Sequence, residues 1–399
     1  MSIACTLNAP GEPAMVAKLQ QRSTRMLFFV GGIGAAVWAS LVPFAKSRAS
    51  LHEGTLGLLL LCLGVGSILA MPTAGALVAR YGCRKVLTAA TVVICAALPL
   101  LAVLSTLPLL AATLFVFGAG LGSADCAFNI QAVMVEGAAK QPLMSGFHGF
   151  YSVGGIVGAA MVSGLLTLGA APLTSALAGV ALMLAVLFAA FRGLLPYGSV
   201  SEGPPLAIPR GIVLFLGVIC FVVFLVEGAM LDWSAVFLKE QRGMQPAQAG
   251  FGFACFSLTM TIGRLMGDVI VKKLGPRMIV AAGGSIAALG IALAALVPYW
   301  QISLVGYALV GMGCSNIVPV LFSAVGRQRR MPQSVAVPAL TTLGYAGILA
   351  GPAGIGFIAR HSSLVAAFLV VAVLMAGVAV SSCAFESAGH GTSDEQRHG

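Results

Sequence analysis

Few side chains in this sequence can do chemistry, and Asp125 comes first. It lies within GAGLGSADCAFNIQAVMVE, residues 118 to 136, a run that is otherwise mostly apolar. An ionisable side chain inside a membrane-length helix faces a water-filled pathway or a partner. At ~100° per residue, Gly118, Gly122, Asp125, Asn129 and Glu136 fall close to one helical stripe. A carboxylate so placed can take up a proton on one side of a barrier and release it on the other as its solvation changes. The alternative is a static carboxylate that holds its helix to a neighbour. Asn129 offers either a ligand for solute or water, or an interhelical hydrogen bond.

Other polar residues recur at comparable depth. His148, Tyr151, Gly155 and Gly158 share one face of the apolar run 143 to 168. A histidine ~8 Å inside such a helix suits a proton relay, or else caps or packs near the boundary. Tyr151 can hydrogen-bond a sugar hydroxyl or a backbone group. Glu227 precedes Gly228, which could bend the helix so that the carboxylate meets a central cavity. Asp232 and Trp233 follow as an outer gate and an interfacial anchor. Arg264 and Asp268 are spaced i, i+4 and can form an ion pair or gate, unless Arg264 binds an anionic substrate. Trp38 either stacks on a sugar face or packs against helices. Thr341, Thr342 and Tyr345 add hydroxyls, and Asn316 an amide. The nine cysteines include no CxxC spacing, and no GxxxxGK[ST] loop or cluster of nucleophile and base appears. Neither a metal, a cofactor nor an enzymatic activity is expected.

The elements that must position these groups follow from composition. Charged residues make up 9% of 399 positions, hydrophobic ones 59%, and mean hydropathy is +1.01. Soluble domains carry ~25% charge. The apolar segments reach helical rather than β-barrel length, so the expectation is an all-α membrane protein whose partner is the lipid bilayer. Twelve spans are expected, at 25–46, 55–79, 86–105, 108–135, 143–168, 171–191, 211–238, 246–271, 277–298, 300–325, 333–359 and 362–384. No removable signal peptide is expected in the polar first residues. With cytoplasmic termini, only Lys46, Arg48, Lys239, Arg242 and Arg360 among the Lys and Arg near span ends lie outside. That bias accounts for most of the net charge of +10 without a nucleic-acid partner.

A Pro-rich stretch separates six spans from six. The expected units are a cytoplasmic tail 1–24, a six-helix half 25–192, a cytoplasmic linker 193–210, a second half 211–384 and a cytoplasmic tail 385–399. Ala79-Arg80-Tyr81-Gly82 after span two is echoed by Lys272-Lys273-Leu274-Gly275 after span eight. Gly120 to Asp125 is echoed by Gly311 to Asn316, which sets Asn316 opposite Asp125. Two similar halves with sites near the midplane are the architecture of alternating-access transporters.

Over essentially its full length the chain resembles the major facilitator superfamily. The family's loop motif after span two is matched by Gly75-Ala76-Leu77-Val78-Ala79-Arg80-Tyr81-Gly82-Cys83-Arg84-Lys85, except that Ala79 stands in place of its acid. The resemblance gives Arg80, Arg84 and Lys85 gate or structural roles, with the family's charge lock incomplete. Gly347 to Gly354 resembles the family's Gly-Pro motif, but in span eleven rather than span five, where antiporter members carry it. Ala124-Asp125, Asn129, His148 to Ser152 and Glu227-Gly228 with Asp232-Trp233 are similar to a bacterial inner-membrane branch related to the fucose permeases. The resemblance implies a monomer-competent secondary transporter of a small polar solute, with spans five and eight facing one another. Symport with protons through Asp125, assisted by His148, is the expectation. Trp38, Asn129, Tyr151, Glu227, Asn316 and Tyr345 are candidate solute ligands, and Glu136, Asp232, Arg264 and Asp268 candidate gate or structural charges. A proton-coupled exporter, or a non-transporting sensor suggested by Ala79, are the alternatives.

Overall fold

The computed structural model describes residues 12–199 and 208–383. Its helices are α1 Glu12–Arg48, α2 Glu53–Tyr81, α3 Cys83–Val103, α4 Leu107–Ala139, α5 Met144–Thr167, α6 Pro172–Ala190 and α7 Ile212–Arg242. A single turn, Pro246–Ala249, leads to the continuous stretch Phe251–Leu296. At 46 residues this stretch is ~69 Å long, more than twice the hydrocarbon thickness of a bilayer. It divides at Gly275, whose backbone (φ 77°, ψ 161°) is not helical, into α8 (251–274) and α9 (276–296). Next come α10, formed by Trp300–Cys314 and Ile317–Arg327, then α11 Gln333–His361 and α12 Leu364–Ser381. Eleven helices among the described residues are long and apolar enough to cross a membrane. Dividing the longest at Gly275 yields twelve spans.

The two halves repeat down to the backbone. Gly82, between α2 and α3, adopts φ 84°, ψ 158°, closely matching Gly275 between α8 and α9. A side chain at positive φ is strained, which explains the shared glycine. Packing repeats too: α1 lies on α5 and α2 on α4, as α7 lies on α11 and α8 on α10. Small residues set these close approaches, because apolar helices gain little from burial against one another in lipid. Ser67 Oγ donates to Gly118 O at 2.8 Å. A Cβ built on Gly122 would sit 2.6 Å from the Ser67 carbonyl oxygen. Gly122→Val is therefore expected to force α2 from α4 and cost about 1–3 kcal/mol. A lowered melting temperature of the purified protein checks this.

Several boundaries differ from the sequence reading. The first helix starts at Glu12, ahead of the expected 25, because Ser23 and Thr24 are buried and Thr24 Oγ1 accepts from Gln131 Nε2 at 3.0 Å. The start of the inter-half linker is docked rather than free. Arg84 Nε donates to Leu194 O at 3.0 Å, and its guanidinium lies 5.2 Å from the Phe191 ring. Arg84 thus ties the linker to the first half, while Arg80 stacks on its neighbour Tyr81 and Lys85 is exposed. Residues 200–207 of the linker, 1–11 of the first tail and all of 385–399 lie outside the described residues.

The break in α10 was not expected. Pro319 has no N–H to give the carbonyl four residues back, and its ring crowds that carbonyl, which belongs to Ser315. The helix accordingly opens at Ser315 and Asn316. The side of the bundle bearing the linker, called the linker face below, carries the ends of α2, α4, α8 and α10 and the starts of α5 and α11.

Candidate functional site

Arg264 of α8 has its strongest partner on α7. Its Nη2 lies 3.1 Å from Glu227 Oε1, and both side chains are largely buried. Its Nη1 donates to Ser152 Oγ of α5 at 3.2 Å, and its Nε to Ser315 O at 3.4 Å. That carbonyl is free because Pro319 cannot bond it. The i, i+4 pair with Asp268 expected from the sequence does not form. Asp268 instead accepts from the Gly146 amide at 2.9 Å. The pairing with Glu227 wins because it satisfies a guanidinium in the bundle interior, where an unpaired charge is costly.

Asp125 sits fourteen residues before the end of α4, so ~21 Å from the linker face. Asn129 Nδ2 donates to Asp125 O at 2.9 Å and to its Oδ1 at 3.2 Å. The Tyr345 hydroxyl of α11, in the other half, also acts on the carboxylate. No ion pair to Asp125 occurs among the described residues. Tyr151, one turn from His148 on α5, lies within the electrostatic reach of Asp125, Glu227 and Arg264. Asp125, Tyr151, Glu227 and Tyr345 remain partly accessible although mid-bundle, so they border an internal space. Asn129 is fully buried, with its Oδ1 unpartnered.

The linker-face side of this space is closed by rings. His148 lies 5.1 Å from Phe28 of α1 and 5.5 Å from Phe322 of α10, and Phe28 is 4.1 Å from Phe128. The His148 Nε2 is buried without a hydrogen-bond partner, and the Arg264 charge acts on it across the halves. Below the rings, a Cβ on Gly326 of α10 would sit 2.5 Å from the side chain of Val133 of α4.

Several expected positions fall elsewhere. Trp38 is 4% exposed, packed edge-on to Phe117 at 6.4 Å inside the first half, and presents no face to a solute. Asn316 does not face Asp125; its Nδ2 donates to Gly263 O of α8 at 3.0 Å, a consequence of the break in α10. Gly228 does not bend α7, which runs unbroken; it makes room for the Ile348 backbone of α11. Trp233 is no free anchor, since its Nε1 donates to Pro352 O at 3.1 Å. Asp232 is exposed nearby. Glu136 Oε2 accepts from the Leu143 and Met144 amides at 2.8 and 2.9 Å, a structural role. Thr341 Oγ1 turns back to Val337 O at 2.9 Å. The sequence reading gave no site role to Ser152 or Ser315, and missed the ring of Phe28 and Phe322. Pro319 in mid-span was the available signal for Ser315.

The arrangement holds one buried ion pair, one carboxylate with neutral partners and several hydroxyls at the junction of two repeated halves. A model of the Major Facilitator Superfamily matches residues 24–325 and again 212–395. The chain is 54% identical to an uncharacterized MFS-type transporter of Yersinia pestis, over 91% of this chain and 95% of that protein. The solved structure of the E. coli fucose:proton symporter FucP is similar with a TM-score of 0.76 at 16% identity, covering 91% of this chain and 97% of that one. A structure of FucP in the outward conformation gives a TM-score of 0.78 at 16% identity, over 93% and 99% of the two chains.

Proposed function

Because the chain belongs to the Major Facilitator Superfamily, we propose that this transporter is a proton symporter for a small polar, sugar-like solute, with Asp125 as the proton carrier. The observation that carries this reading is the set of neutral partners around Asp125. Asn129 donates to the carboxylate, and the Tyr345 hydroxyl can either donate or accept. Both protonation states can therefore be met by neutral groups, and a proton can come and go without breaking an ion pair. The Arg264 guanidinium is engaged by Glu227 and makes no ion pair with Asp125.

The solute would bind among Tyr151, Tyr345 and the Arg264–Glu227 pair, whose donors and acceptors suit hydroxyls, with the buried Asn129 holding Asp125 in place. The fucose:proton symporter FucP shares the fold, which agrees with this reading, although the local chemistry carries it. In the proposed orientation the linker face is cytoplasmic, in the inner membrane of a bacterium, and the rings near His148 would form the closed side of an outward-facing state. A monomer suffices, since the site lies within one chain.

Purified protein in proteoliposomes tests this over a panel of neutral polyhydroxylated solutes. Accumulation of at least one solute above equilibrium under an inward proton gradient, abolished by a protonophore, is the expected result. Accumulation indifferent to the protonophore, or efflux driven by proton entry, would contradict it.

A further inference from the structure

The start of α5 is held by two carboxylates, one from each half. A helix leaves its first amides without intrahelical partners and carries a partial positive charge there. Glu136, on α4 of the same half, takes the Leu143 and Met144 amides. Asp268, on α8 of the other half, takes the Gly146 amide at 2.9 Å. Gly146 is required for this approach, because a Cβ there would run into the Asp268 carboxylate. Around the contact, Arg25 and Glu136 are the other charges that act on Asp268. The buried Asn316 Oδ1, without a hydrogen-bond partner, lies next to Ser145 at the position of Gly267.

We propose that Asp268 is the releasable latch of the linker-face gate, and Glu136 the cap that stays with α5 when the latch opens. The inference rests on the alternating-access reading. Bonds within one half survive a rigid-body separation of the halves, whereas bonds between halves cannot. Opening of the linker face must therefore strip Gly146 of its carboxylate and leave Leu143 and Met144 capped. Glu136 limits the cost of each opening, because α5 never loses its whole cap. Asp268 makes closure favourable by returning a charge-assisted bond to the helix terminus. It also supplies a lock between halves where Ala79 supplies no carboxylate at the end of α2.

Residue-resolved hydrogen exchange of the full chain in proteoliposomes, without solute, reads this directly. In Asp268→Ala, the Gly146 amide should exchange roughly tenfold faster or more, as expected for loss of a bond to a charged group. The segments around Val133 and Gly326 should speed up with them, while Leu143 and Met144 stay protected. Gly146→Ala, which keeps both carboxylates, should give the same pattern. Glu136→Gln should instead loosen Leu143 and Met144 and leave Val133 and Gly326 protected. If Asp268→Ala frees only Gly146 while Val133 and Gly326 stay as in the unaltered protein, Asp268 is a local cap and the latch is wrong. Equal loss at all three amides, of Leu143, Met144 and Gly146, would also overturn the division of labour. Since no solute or proton gradient is involved, this result stands apart from success or failure of the symport assay.

Discussion

Asparagine in place of Asp125 is expected to bring proton-driven accumulation down to equilibrium while solute exchange across the membrane persists. One proton crossing 100 mV supplies about 2.3 kcal/mol, roughly a fifty-fold accumulation ratio. That ratio should fall to about one. Asparagine keeps an oxygen that can accept from Asn129 and Tyr345, so the contact between α4 and α11 survives. The substitution removes the titratable group and little else. Counterflow, in which labelled solute exchanges against unlabelled solute with no gradient, needs the conformational cycle but not the proton. Retained counterflow beside lost accumulation separates a coupling role from a structural one.

The second large effect concerns Arg264 and Glu227. Removing either partner strands a charge in the bundle, and breaking a buried pair costs about 3–5 kcal/mol. Arg264→Ala should lower the melting temperature and abolish transport. It also removes the bonds to Ser152 and to the Ser315 carbonyl left open by Pro319. Glu227→Ala should do similar harm because the guanidinium remains. Replacing both by apolar residues of similar size, as in Arg264→Met with Glu227→Leu, should recover most of the stability, because no charge is then left unpaired. Transport should stay absent, since the pair is part of the proposed solute site. Thermal melting and counterflow on the three variants distinguish these outcomes.

Much of this site was legible because polar residues are scarce in the chain. Asp125, Tyr151, Glu227, Arg264 and Tyr345 were visible as exceptions within apolar runs, and the structure brings them together. What the sequence could not provide was partnership between distant elements. Spacing offered Arg264 the carboxylate of Asp268 one turn away, whereas the tertiary fold offered Glu227 from α7. Trp38 shows the opposite failure, since an aromatic suited to stacking on a solute is equally suited to packing on Phe117. The repeat was legible through Gly82 and Gly275, which share a backbone conformation. The same repeat misled at Asn316, because Pro319 breaks α10 where α4 continues. Glu136 and Asp268 were read as gate or structural charges, but only coordinates reveal that both serve the start of α5.

Proton movement itself tests the central claim most directly. Proteoliposomes containing a pH-sensitive dye, with no imposed gradient, would receive a pulse of a transported solute. Acidification of the lumen that follows the solute inward, and is missing in Asp125→Asn although that variant still exchanges solute, is the predicted result. Solute entry with no change in lumenal pH, or acidification that survives Asp125→Asn, would contradict it.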